Sequence, residues 1–221
     1  MNYLTHELLN SDELETLRKN LDNENLFWED GKQTAGKHAA EVKNNLQLKR
    51  DASLSKKFSE LIIKKILSND LIKSFALPKK IHGTMFSKST SGMKYGRHID
   101  NAYMSTGRSD LSFTIFLNSE ENYEGGALSI ESFNSEEKFK LDAGEIIIYP
   151  STYLHSVEEV IAGERLVFIG WIESYVKSIE DREYLFDLDA SARSLLAKYG
   201  RSDEVDLIFK SYSNLLRRLG S

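Results

Sequence analysis

The side chains best suited to chemistry in this chain are His98, Asp100, His155 and Arg165. His98-Ile99-Asp100 falls in a run of β character, and residues two apart in a strand point to the same face, so one imidazole and one carboxylate project together. His155 opens a later β run, and a jelly roll brings its second and seventh core strands side by side, which would carry this imidazole to the first two groups. Two His and one Asp on one face of a metal leave three coordination positions open, the facial arrangement of non-haem Fe(II) centres, with room for a bidentate co-substrate and O₂. Arg165 stands on the next β run, ahead of the apolar stretch Leu166-Val167-Phe168-Ile169. A guanidinium buried there without a partner would cost on the order of 3–5 kcal/mol. A ligand carboxylate would satisfy it through a two-pronged hydrogen bond.

Each piece also has an ordinary reading. A His-x-Asp pair is often a solvated strand pair, a His ahead of a strand is often a hydrogen-bonded surface residue, and Arg165, following Gly163-Glu164, could lie at the solvated start of its strand. The metal site is favoured because separate spacings and one strand pattern agree on a single geometry. Composition narrows it further. A cysteine count of 0 removes disulfides, thiolate zinc sites, iron–sulfur ligation and Cys nucleophiles, so any metal must be held by nitrogen and oxygen. Of the 5 histidines, His82 reads as a hydrogen-bonded or edge residue of the first β run, and His6 and His38 fall in polar segments.

Holding these groups together requires a β core, and the stretch from Lys80 to about Ser174 supplies one. Candidate strands are Ile81–Ser87, Lys94–Asp100, Leu111–Leu117, Ala127–Ser132, Glu137–Leu141, Glu145–Tyr149, Leu154–Glu158 and Glu164–Ile172, separated by Gly, Asn, Asp and Ser. Short strands at this spacing predict an antiparallel sandwich or barrel. The polar stretches Ser87–Met93 and Asn101–Asp110 flank the His-x-Asp strand as expected substrate-facing loops. Ahead of the core, Leu14, Leu17 and Leu21 predict an amphipathic helix over Ser11–Leu21, and the Leu, Ile and Phe stripe of Ala52–Ser68 predicts a second. After Tyr175 two further apolar stripes, split by Gly200, predict a helical pair that docks on the sheet or serves self-association.

The chain of 221 residues is long enough for one large domain or one with helical additions. With 40% hydrophobic and 29% charged residues, no long apolar run and no signal-peptide pattern after Met1, the expectation is a soluble cytoplasmic protein with no membrane association. A net charge of −5 without a long basic run gives no electrostatic footprint for nucleic acid.

The runs Tyr95-Gly96-Arg97-His98-Ile99-Asp100-Asn101, Phe116-Leu117-Asn118, Tyr123-Glu124-Gly125-Gly126, Pro150–Val157, Gly163-Glu164-Arg165 and Gly170–Ser174 resemble the Fe(II)- and 2-oxoglutarate-dependent dioxygenases of the prolyl 4-hydroxylase type, closest to the bacterial PKHD-type hydroxylases. Phe27-Trp28-Glu29-Asp30-Gly31, Thr34-Ala35-Gly36, Lys43–Gln47 and Leu185–Asp189 extend the resemblance to nearly the whole chain. It implies a mainly β fold with flanking helices around a double-stranded β-helix, or cupin-like jelly roll. The dioxygenase domain would span 1–175 and a C-terminal helical extension 176–221. It implies Fe(II) on His98, Asp100 and His155, the distal carboxylate of 2-oxoglutarate on Arg165, and Tyr95 and Trp171 lining the site. The implied reaction hydroxylates an unactivated C–H bond with O₂ and releases succinate and CO₂. A prolyl residue of a protein or peptide is the expected substrate, ascorbate an accessory, and a homodimer through the helical regions the expected assembly. Animal members have a Tyr near the position of Phe116 that helps hold the co-substrate; Phe cannot, so Tyr103 or Tyr95 would have to serve.

Two rival readings stand beside this one. A cupin-like metal or small-molecule binding protein would bind metal without oxygenase turnover and would leave Arg165 without a role. A non-enzymatic scaffold assembling through its helical ends would make His98 dispensable.

Overall fold

The computed structural model describes residues 3–22, 27–34, 40–50, 52–132 and 134–221. The leading section consists of β1 (Leu4–Glu7), α1 (Ser11–Leu21), β2 (Trp28–Asp30), β3 (Lys43–Asn44), β4 (Leu46–Leu48), α2 (Ser53–Ser68) and α3 (Asp70–Ala76). The core follows as β5 (Pro78–Thr90), β6 (Lys94–His98), β7 (Tyr103–Met104), β8 (Gly107–Arg108), β9 (Leu111–Phe116) and β10 (Tyr123–Gly125). It continues through β11 (Leu128–Glu131), β12 (Glu136–Phe139), β13 (Glu145–Pro150), β14 (Leu154–Val157) and β15 (Val160–Ser174). Two helices, α4 (Ile179–Tyr199) and α5 (Asp203–Leu219), close the chain.

Among the described residues the strands form two main antiparallel sheets and a separate two-stranded β7–β8 hairpin. The larger runs β1-β13-β9-β15-β5-β4-β2 with β10 beside β15, and the smaller runs β12-β11-β14-β6-β3. Strand β9 shows why they face each other. Its residues are buried on both sides, because Leu111, Phe113 and Ile115 join Phe58, Ile62 and Ile66 of α2 in the main core while Phe116 joins Leu128, Ile130 and Phe139 of the smaller sheet. The polar Ser112 and Thr114 share that inner face and line a cavity there. This is the double-stranded β-helix with flanking helices that the family resemblance implies, a form of the antiparallel sandwich or barrel expected from the strand spacing.

The helical cover is set locally. Asn10 and Glu13 exchange side-chain-to-backbone bonds at the start of α1, a complete capping box. Asn69 ends α2 and accepts from Ile72 N to start α3, a short helix that the sequence stripe does not reveal. Leu77 then adopts φ 44°, in the left-handed region, and Pro78 opens β5. At the other end, Leu185 and Val176 pack with Leu77, and Tyr212, Leu215 and Leu216 of α5 lie against them, so the C-terminal pair docks near the α3–β5 junction. No helix among the described residues is long and apolar enough to cross a membrane.

All of the candidate strands are present, with shifted ends. The first runs from Pro78 to Thr90, so Ser87–Thr90, expected as part of a substrate-facing loop, is strand instead: it pairs with Val167–Glu164 of β15. The last begins at Val160, which puts Arg165 well inside it. The β1, β10 and β7–β8 pairings are additions; each is too short for an alternating pattern to reveal.

Phe168 is fully buried, 4.8 Å from the Phe86 ring centroid and 6.1 Å from that of Phe113. Phe168→Ala is expected to lower unfolding free energy in urea by about 3–5 kcal/mol, whereas Leu207→Ala, on the exposed side of α5, shifts it by less than about 0.5 kcal/mol.

Candidate metal centre and adjoining cavity

Strands β6 and β14 are antiparallel neighbours in the smaller sheet, and His98 is the direct cross-strand partner of His155. Their rings lie 4.3 Å apart. β6 ends at His98, so Asp100 stands just beyond the strand; Ile99 is exposed where it borders the cavity, and Asp100 points back to the histidines, its Oδ2 3.7 Å from His155 Nε2. One ligand atom from each of His98, Asp100 and His155 falls within 4.8 Å of the others, a group able to hold a metal ion.

The surroundings prepare these atoms for ligation. His98 Nδ1 lies 2.8 Å from the Gly96 carbonyl and His155 Nδ1 3.0 Å from the Tyr153 carbonyl. A carbonyl only accepts, so Nδ1 is the protonated nitrogen in each ring and Nε2 keeps its lone pair for a metal. Burial, aided by His155, pushes His98 down to about 4, against the Gly96 carbonyl and Asp100, so this ring is neutral at physiological pH. Ser112 Oγ, from the opposite sheet, donates to Asp100 Oδ2 at 2.6 Å and sits 2.7 Å from Ser151 Oγ. The Tyr95 ring stacks on His98 at 3.6 Å, and Tyr149 meets His155 edge-on at 5.4 Å.

The three groups open into a cavity of about 420 Å³ between the sheets. Arg165, 3% exposed, lines the same cavity from β15, with its guanidinium 5.4 Å over the Phe116 ring. This resolves the choice left by the sequence: Arg165 is deep in its strand, not at a solvated start. Its Nε and the nearby Tyr123 hydroxyl are buried without hydrogen-bond partners, and burial raises the Tyr123 phenol while Arg165 works against it. Gly126, at φ 66°, allows this approach, since a Cβ there would stand 3.2 Å from both Arg165 Cδ and the Tyr123 ring.

Trp171 lines the cavity through a face packed on Gly83, and its Nε1 is also buried without a partner. Tyr103, expected to help hold a co-substrate, lines the same cavity. It is 74% exposed on the β7–β8 hairpin at the cavity mouth, whereas Tyr149 is buried in the cavity lining and the buried Tyr123 hydroxyl lies by Arg165. The expected loop 101–110 is thus a small hairpin, tied down by His82, which touches Thr106 Oγ1 and the Arg108 carbonyl at 2.9 Å each. Arg108 adds bonds to Asp110 and the Ser174 carbonyl. His82 therefore has the hydrogen-bonded place expected of it; His6 bonds Asn69, and His38 lies outside the described residues. Sequence reasoning missed Ser112, Tyr149 and the placement of Tyr123, although Tyr123 stands in a Tyr-Glu-Gly-Gly run whose second glycine makes its approach to Arg165 possible.

The chain matches the family model of the 2OG-Fe(II) oxygenase superfamily over residues 84–173 and that of the PKHD-type hydroxylase C-terminal domain over residues 180–220. It is 74% identical over 220 residues to a PKHD-type hydroxylase of Prochlorococcus marinus strain MIT 9215 and 60% identical over 220 residues to one of strain NATL2A, each covering 100% of both chains. Among solved structures it is similar in fold to a prolyl-4-hydroxylase of Pseudomonas putida, with TM-score 0.53 and 18% identity over 78% of this chain and 92% of the other. A prolyl hydroxylase of Trichoplax adhaerens, solved with a hypoxia inducible factor peptide fragment, gives TM-score 0.55 and 14% identity over 83% and 86%. With identity of this order along its whole length, the chain belongs to the PKHD-type hydroxylases of the 2OG-Fe(II) oxygenase superfamily.

Proposed function

We propose that the chain hydroxylates a prolyl residue of a protein or peptide, with His98, Asp100 and His155 holding Fe(II) and Arg165 holding the far carboxylate of 2-oxoglutarate. The observation that carries this reading is the shared cavity: an N/O ligand set at one place and an under-bonded, fully desolvated guanidinium at another. A binding protein without turnover would leave the Arg165 Nε and the Tyr123 hydroxyl unexplained, whereas a carboxylate would satisfy both.

Bound in the cavity, iron and 2-oxoglutarate would supply oxygen activation: one atom of O₂ goes to the hydroxylated carbon, the other to succinate, and CO₂ leaves. The chain's own residues do the positioning. The Gly96 and Tyr153 carbonyls orient the two imidazoles, and Ser112 fixes the Asp100 carboxylate by donating to Oδ2, the oxygen that faces His155. Val167, Ile169, Leu128 and Val157 form an apolar wall that keeps water from the reacting carbon. Tyr149 lines the cavity and Tyr123 stands beside Arg165, so both join Tyr103 and Tyr95 as phenols available to the co-substrate, while Tyr95 also supports His98 by stacking. The reading includes a cytoplasmic setting, ascorbate as an accessory that keeps iron reduced, and self-association through the C-terminal helices, where Tyr199 and Leu207 are exposed.

Anaerobic addition of Fe(II) and 2-oxoglutarate to the wild-type protein is expected to give a charge-transfer absorption, and O₂ with a prolyl-peptide panel to give succinate. Asp100→Ala abolishes both; a wild type that gives neither overturns the reading. Ser112→Ala, which frees Asp100 from its hydroxyl donor, lowers Fe(II) affinity about 10–100-fold in a metal titration. Arg165→Met raises the KM for 2-oxoglutarate about 100-fold, the loss of one desolvated charge-assisted pair, with the Fe(II) affinity little changed.

A further inference from the structure

A second cavity, of about 230 Å³, shares no lining residue with the one at the metal centre. Leu4 of β1, Phe75 of α3, Leu111 of β9, Pro150 of β13 and Phe186 of α4 give it apolar walls, with the Phe75 and Phe186 rings packed edge to face at 5.7 Å. Arg182 of α4, only 3% exposed, borders the same cavity. Its Nη1 donates to the Val176 and Lys177 carbonyls at 2.7 and 2.9 Å, which ties down the connection from β15 into α4. Its Nε and Nη2 have no hydrogen-bond partner among the described residues, and the guanidinium makes no ion pair there. Unlike the Arg165 Nε, these two atoms are not sealed off by protein, so the edge that carries them opens on the cavity. Burial draws the guanidinium down; Asp110 and Glu180 act in the opposite direction from further off, and Arg108 adds to the effect of burial. Asp110 is itself spent on Arg108 and Ser174 N.

What remains of Arg182 is a pair of parallel N–H donors, the fork that a carboxylate fills with both of its oxygens. The walls beyond it are apolar, so the body attached to that carboxylate is apolar too. Glu183 and Asp187, one turn apart on α4 and exposed, line the cavity beside the Arg182–Phe186 row. Two acids at the mouth disfavour a simple carboxylate and favour one that carries a cation next to it. The volume is below the roughly 300–1,000 Å³ of drug-sized sites, which suits a ligand of amino-acid size. A carboxylate, an ammonium on the adjacent carbon and an apolar side chain are together the parts of an apolar α-amino acid.

We propose that this cavity binds a free apolar α-amino acid, with its carboxylate on Nε and Nη2 of Arg182, its ammonium towards Glu183 and Asp187, and its side chain against Phe75 and Phe186. The site is separate from the oxygenase cavity and does not depend on the reading of that cavity.

The test is calorimetric titration of the whole protein, loaded with Fe(II) and 2-oxoglutarate and kept anaerobic. The probes are leucine and phenylalanine, their amides, and their deamino analogues 4-methylpentanoate and 3-phenylpropanoate. At least one amino acid is expected to bind about tenfold or more tighter than its amide, which cannot fill the charged fork. It is expected to bind about two- to fivefold tighter than its deamino analogue, which lacks the partner of the exposed acids. Arg182→Gln brings the first ratio towards one. Because Arg182 also holds two backbone carbonyls, that variant is first checked for folding by thermal melting. The double variant Glu183→Gln, Asp187→Asn changes only exposed positions and gives an independent arm: the first ratio stays and the second falls towards one. A merely structural role for these residues would weaken all three members of a probe set alike. The proposal is overturned when neither amino acid outbinds both of its analogues, or when the second ratio survives in the double variant or the first in a folded Arg182→Gln, since the amino acid is then bound elsewhere.

Discussion

The pairing of β6 with β14, which sets His98 directly opposite His155, is the constraint on which the rest of the site depends. Side chains alternate along a strand, so a slip of one residue in either strand would turn one imidazole to the outer face of the smaller sheet and dissolve the cluster. Several features hold the register. Leu128 and Ile130 on β11 pair with Val157 and His155, fixing β14 from its other side, and β12 in turn fixes β11. On the far edge, Lys43 and Asn44 pair with Tyr95 and Lys94 and fix β6. The smaller sheet is thus a register-keeping device whose inward face is spent on metal-binding groups.

The larger sheet contributes what the smaller cannot: depth. Arg165, Val167, Ile169 and Trp171 alternate along the inner face of β15, while Leu166, Phe168 and Ile172 hold that strand against the helical layer. A guanidinium can be kept dry there because its strand is covered on both faces, and Gly126 lets the neighbouring segment close over it. Ser112 joins the two halves, since it belongs to the larger sheet yet bonds Asp100 of the smaller one. That one short bond couples the spacing of the sheets to the direction of the carboxylate.

Legibility differed by element for physical reasons. The long β5 and β15 and the apolar runs of β9 and β13, buried on both faces, declare themselves by length and by β-branched and aromatic content, while α1, α2 and the C-terminal pair show stripes because each buries one face. Two- to four-residue strands such as β1, β3 and β10 carry too few alternations to stand out, and their pairing is decided by the sheet edge they meet. Helix α3 is one cap and two buried residues, Ile72 and Ala76, which is below what periodicity can distinguish from a turn. Tyr103 shows the same limit among site residues: the two-residue pairing of the β7–β8 hairpin, which sets it at the cavity mouth with its ring largely exposed, is not visible in the sequence.

What the amino-acid order determined by itself was the chemistry available: no thiolate ligands, a His-x-Asp pair able to share a face, one later histidine, and an arginine beside an apolar run that would be costly to bury unpaired. These are statements about residue types and local periodicity, and such properties survive without knowledge of contacts. Only the tertiary structure decided which distant groups meet. The Ser112 bond to Asp100 and the phenols of Tyr123 and Tyr149 near Arg165 depend on sheet order, register and the separation between sheets. Those are set by burial summed over the whole core, a quantity that no short stretch of sequence contains.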